Sequence, residues 1–119
     1  MPARLRKASA REVAAAWDQV RGDEAPAEVL RLLTKHYLAV LAAVHPGRSV
    51  EVRVPPYAAV QCVGGTRHSR GTPPAVVETD ALTWIRLARG DVDWSEAVER
   101  GSVRASGERS DLQALLPLE

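Results

Sequence analysis

The chain of 119 residues has no phenylalanine, one cysteine, one methionine and only two lysines among its 16 basic residues. Each shortage excludes something. A single Cys62 cannot form an internal disulfide framework or a cysteine-based zinc site, and it suits a reducing compartment. A formal net charge of +1 gives no global field of the kind that grips nucleic acid or an anionic membrane surface. No run approaches the roughly 18 apolar residues of a membrane span, and Arg4, Arg6 and Lys7 are followed by no apolar signal segment. A soluble, cytoplasmic protein without stable membrane insertion and without nucleic-acid binding is the expectation. His36, His45 and His68 have no ligand spacing, so neither a metal nor another cofactor is expected. With aromatics at 4%, the core must be built from Ala, Val and Leu.

What is present is well punctuated. Ser9 and Glu12 form an S-x-x-E capping box, with Val13, Ala16, Trp17 and Val20 at helical spacing and Gly22 as the stop. Pro26 opens a longer helix whose apolar face is Leu30, Leu33, Tyr37, Val40, Leu41 and Val44, ending at His45-Pro46-Gly47. The period then becomes two. Val50, Val52 and Val54 alternate with polar residues as a half-buried strand; Pro55-Pro56 breaks it, and Ala58 to Val63 is its hairpin partner. Ala75 to Thr79 is a third strand. Thr79 or Asp80 caps a helix carrying Ala81, Trp84, Ile85 and Ala88, with Gly90 as its stop. Asp93 and Glu96 suggest a second capping box, closed by Gly101. Ser102 to Ser106 is a fourth strand, and Ser110 with Gln113 is expected to cap a terminal helix bearing Leu112, Leu115 and Leu116. The order α-α-β-β-β-α-α-β-α predicts an α+β domain over residues 9–119, its helices gathered on one face of the sheet. Residues 1–8 are expected to be a flexible lead-in.

The segment GGTRHSRGTPPAVVET (64–79) is the least ordinary stretch. It lacks the phosphate-loop pattern, and no helix directly follows it. Arg67, His68 and Arg70 could hold a carboxylate or phosphate head group, since Arg forks suit such anions. The plainer reading is a solvated connection between strands, its arginines paired to surface acids. Cys62 with His68 would be a nucleophile–base pair, but Cys62 alternates within an apolar strand, where inert thiols are common. Glu78 with Asp80 and Asp91 with Asp93 form close carboxylate pairs, yet helix capping accounts for Asp80 and Asp93.

The run DALTWIRLARGDVDWSEAVERGSVRASGERSDLQALLPL, with the two-helix start and TRHSRGTPPAVVETD, resembles the sterol-carrier-protein-2 family in its compact bacterial orthologue branch. The resemblance extends over about residues 10–118 and is strongest from Asp80 to Leu118. It implies a curved mixed sheet of about four to five strands, with helices closing an apolar tunnel for a fatty-acyl or sterol-like lipid. Val60, Val77, Trp84, Ile85, Leu112, Leu115 and Leu116 would then line the tunnel, with Arg67, His68 and Arg70 at its mouth. Non-enzymatic carriage of a hydrophobic small molecule is the function implied. The small side chains of this sequence could equally let helices and sheet close onto each other and fill the space. An empty tunnel is costly, about 24 cal/mol per Å³. A filled core would suit the alternative, an accessory module that docks onto a protein partner, as similar domains do beside mycothiol-dependent isomerase-type domains.

Overall fold

A computed structural model describes residues 5–64, 75–107 and 110–119. The helices are α1 (Ala10–Trp17), α2 (Ala27–Val44), α3 (Ala81–Arg89) and α4 (Trp94–Glu99). The strands are β1 (Val50–Val54), β2 (Ala58–Cys62), β3 (Ala75–Thr79) and β4 (Val103–Ser106), and a 3-10 turn covers Gln113–Leu115. Four strands, in the order β2-β1-β3-β4, form one mixed sheet. β1 runs antiparallel to β2 and parallel to β3, and β3 runs antiparallel to β4. This is the α+β architecture expected.

Local signals set most boundaries. Both halves of the Ser9–Glu12 capping box are made: Ser9 Oγ accepts from the Glu12 N–H at 3.1 Å, and the Ser9 N–H donates to Glu12 Oε1 at 3.0 Å. Those bonds to Ser9, its N–H first, hold the Glu12 carboxyl below its ordinary pKa. Asp80 caps α3 by accepting from the Thr83 N–H at 3.0 Å and the Thr83 hydroxyl at 2.6 Å. Gly90 closes α3 in the left-handed region at φ 91°. At α4, Asp93 occupies the cap position but makes no side-chain capping bond. Glu96 pairs instead with Arg100 one turn on, so the second capping box is not formed.

Two further expectations change. α1 stops at Trp17, before Gly22. The last segment makes only a single 3-10 turn, not a helix. Pro117 explains why: the residue before a proline is pushed out of the α region, and Leu116 is extended at φ −111°, ψ 146°. Ser110 does not cap this turn, because its hydroxyl donates to the Gly107 carbonyl. The tail is pinned elsewhere, with the Leu118 N–H donating to the Ala88 carbonyl at 2.7 Å, near the end of α3.

The alternation of β1 decides which sheet face is covered. Val50, Val52 and Val54 are fully buried, while Arg53 between them is exposed. By register, the covered face carries Cys62, Val60 and Ala58 of β2 and Ala75, Val77 and Thr79 of β3 beside the three valines. Leu33, Tyr37, Leu38 and Leu41 of α2 and Trp84, Ile85, Leu87 and Ala88 of α3 join these residues in one buried cluster. Val44 was expected on the same face of α2, yet it is 58% exposed: it is the last residue of the helix, where the core beneath has ended. The open face carries the row Ala59, Arg53, Glu78 and Arg104 across all four strands.

The largest side chain in the core is Trp84, 1% exposed, whose indole N–H donates to the Thr34 carbonyl of α2 at 3.3 Å. Truncating it leaves a cavity between two helices and the sheet. Trp84→Ala is expected to destabilise the domain by about 3–5 kcal/mol, read as a fall in urea midpoint at constant slope. A loss below about 1 kcal/mol would mean the indole is not a packed core residue.

Candidate functional site

Among the described residues, the apolar side chains expected to line a tunnel occupy different settings. Val77, Trp84, Ile85 and Leu112 are all within 1% of complete burial and belong to the packed core. Leu115 and Leu116 are half-buried in the C-terminal turn and pack against that core from outside. Val60 is different. It is only half-buried, on β2 at the edge of the sheet, where it still packs against the core.

A groove of about 920 Å³ opens beside Val60. One wall is the C-terminal half of α2, with Ala39, Ala42 and Ala43 at helical spacing and Pro46 beyond them. The other is β2, through Ala59, Val60 and Gln61, with Glu51 from β1 behind. Leu5 and Lys7, from the segment before α1, complete it. Its size falls within the range of small-molecule sites, about 300–1,000 Å³. Ala, Val and Leu side chains make up most of its lining, together with Lys7, Glu51 and Gln61. Glu51 is already engaged by the Arg53 guanidinium.

Arg67, His68 and Arg70 lie outside the described residues, but the roots of their segment are well placed. A Cβ on Gly64 would lie 3.7 Å from the Pro46 carbonyl oxygen, so this root adjoins a groove-lining residue. Val63 turns the chain out of β2 in the left-handed region at φ 62°, a strained conformation for a β-branched residue. The turn also leaves no room at Gly47, where a Cβ would sit 2.2 Å from the Val63 carbonyl carbon.

The two ends of the connection flank one residue. The Val63 carbonyl accepts from the Ser49 N–H at 2.9 Å, and the Ala75 N–H donates to the Ser49 carbonyl at 2.9 Å. Two strand spacings, about 10 Å, therefore separate them. Three or four residues would reach; the chain between β2 and β3 uses 63–74. The sheet does not require that length.

Over residues 26–118 the chain matches the family described as bacterial SCP ortholog, SCP being sterol carrier protein. The chain belongs to this family. The match takes in every strand and α2 through the C-terminal turn, and it starts after α1. No curated protein matches the chain in sequence. Membership in a bacterial sterol-carrier-protein family is compatible with a small apolar ligand, and the groove beside β2 is one of several hollows on the described residues. No helix among the described residues is long and apolar enough to cross a membrane.

For the nucleophile reading, the geometry around Cys62 is unfavourable. The thiol is fully buried beneath the helices, and burial pushes its pKa up to about 11. At neutral pH it is a protonated, inaccessible sulfhydryl, whereas nucleophilic cysteines sit in exposed, electropositive surroundings. Among the described residues no group of three or more His, Cys, Asp or Glu side chains could hold a metal ion.

Of the expected lining, Val60 borders this groove; its other walls were not anticipated from the sequence. Ala39, Ala42 and Ala43 repeat at i, i+3 and i+4 on α2, and that small-residue flank was the available signal. The folded protein's Cys62 should react with a neutral thiol reagent at pH 7.5 far more slowly, by about 100-fold or more, than the urea-unfolded chain does. Comparable rates in the two states would show an accessible thiol, and a faster reaction in the folded state would restore the enzyme reading.

Proposed function

We propose that this protein binds an apolar small molecule of fatty-acyl or sterol-like type, without chemistry, in the groove between α2 and β2. The observation that carries the reading is the meeting of family and geometry. A chain of the sterol-carrier-protein family fills its interior with Trp84 and its neighbours, and keeps about 920 Å³ of space, lined mostly by Ala, Val and Leu, at the edge of the sheet. Each CH₂ moved from water into such space contributes roughly 0.8 kcal/mol. Arg67, His68 and Arg70, which follow Gly64 in the chain, would receive a carboxylate or phosphate head; Gly64 itself adjoins Pro46 of the groove. The surplus length of that segment supports a role beyond connection. No covalent step is needed, and cytoplasmic residence would suit a carrier with one buried thiol.

The filled core also favours a second reading, an accessory module that docks onto a protein partner and carries no lipid. The groove separates the two. A long-chain fatty acid at about a hundredfold excess over its dissociation constant should add about 2.7 kcal/mol of stability, seen as a rise of several degrees in melting temperature. Ala43 is exposed on the groove wall, so Ala43→Trp should fill the space and abolish that rise while leaving the unliganded melting temperature within a few degrees of the native value. Arg67→Ala with Arg70→Ala should weaken a fatty acid more than the matching alcohol, because only the carboxylate loses charged partners. Absence of any shift with acids, acyl thioesters and sterols, in protein carrying no lipid by native mass spectrometry, would leave the docking module as the reading.

A further inference from the structure

The segment before α1 is tied to the body of the protein by a long-range bond. The Ala8 N–H donates to His36 Nδ1 on α2 at 2.8 Å. Immediately ahead of Ala8, Lys7 and Leu5 line the groove. The bond therefore holds residues 5–8 as a strap across one side of that space. It also fixes the imidazole chemically: accepting at Nδ1 requires an unprotonated nitrogen there, so the ring is neutral with its hydrogen on Nε2.

We propose that His36 is a proton-sensitive latch, holding the Leu5–Ala8 strap against the groove when neutral and releasing it when protonated. A proton on Nδ1 turns the acceptor into a donor that faces the donor of Ala8, and the bond is lost. The charges around the ring push in the same direction. Lys7, on the strap itself, repels an imidazolium, whereas Glu119, on the C-terminal tail, attracts it. His36 also shares a hollow with Asp18 of the α1 end and Arg89 of α3, and Tyr37 stacks edge-on to the ring at 4.9 Å. Protonation thus moves the favourable partner of His36 from the strap to the tail.

Burial, the largest influence, holds the His36 pKa below its ordinary 6.5; Glu119 opposes this and Lys7 adds to it. Because the folded value is depressed, the unfolded chain takes up the proton first as pH falls. The latch contribution is complete above 6.5 and disappears as pH drops through the lowered value. At neutral pH the strap is closed. Its effect on ligand exchange rests on the groove being the binding site, but the latch itself does not.

The test reads the strap directly in the ligand-free protein. Hydrogen exchange of the Ala8 amide is followed by NMR at about pH 7.5 and about pH 5, with the Val52 amide of β1 as the internal control for global opening. Relative to Val52, Ala8 protection in the native chain should fall about tenfold or more at the lower pH. In His36→Asn, whose side-chain oxygen accepts at either pH, protection should stay level. In His36→Lys, a permanent donor, it should be absent at both. Unchanged native protection, or a His36→Asn chain that loses protection in step with the native one, would overturn the latch. A fluorescent long-chain alcohol, which has no titrating head, then reports the groove: its dissociation should quicken at low pH in the native chain and not in His36→Asn. Equal rates despite a released strap would overturn the gating role. Failure of the alcohol to bind at any pH would count against the groove as the lipid site, with the Ala8 exchange still deciding the latch.

Discussion

Trp84 is wedged between α2, α3 and the sheet, and the arrangement of the rest follows from its placement. In a chain without phenylalanine it is the largest fully buried side chain, and the Thr34 carbonyl fixes its indole from the facing helix. The three valines of β1 supply a flat bed beneath the helices. Among the described residues the layer around the indole is filled by buried side chains. A groove lies instead at the sheet edge, where α2 presents alanines beside Val60.

A second layer of constraint lies on the flank of α2 away from the groove. The Trp17 indole donates to the Tyr37 hydroxyl at 2.8 Å, and that hydroxyl donates to Glu119 at 3.0 Å. The Arg89 guanidinium lies 3.5 Å over the Trp17 ring, a cation–π contact. Burial, more than any neighbour, pushes the Tyr37 pKa up to about 12, so the hydroxyl keeps its proton and can serve as both acceptor and donor. α1, α2, α3 and the tail are thus joined through one phenol, with His36 beside it. The same helix that walls the groove carries both the phenol and the imidazole.

Much of the fold was legible because its determinants are local. Ser9 and Glu12, Asp80 and Gly90, and the alternating valines of β1 each act within a few residues, and each produced the expected boundary or face. Trp84 and Ile85 were placed on the buried face of α3 by spacing alone. The terminal helix was misread because leucine spacing outweighed Pro117, whose effect on Leu116 is equally local. The Asp93–Glu96 pair was misread because Arg100, one turn later, competes for the carboxylate. The groove was least legible. Its walls come from residues 5–7, 39–46 and 59–61, and only the packing of α2 against an edge strand brings them together. Alanine is also the best helix former, so Ala39, Ala42 and Ala43 read as propensity before they read as a surface.

The connection between β2 and β3 has an entropic side. Its ends are held on either side of Ser49, a gap that a third of its residues would close. Closure entropy grows only slowly with length, by about 0.6 kcal/mol per doubling. The surplus in 63–74 therefore costs the native state on the order of 1 kcal/mol, a tolerable fraction of a domain's net stability of about 5–15 kcal/mol. The extra residues are thus an inexpensive addition to the sheet, and on the proposed reading they are the part of the chain that would meet a ligand's head group.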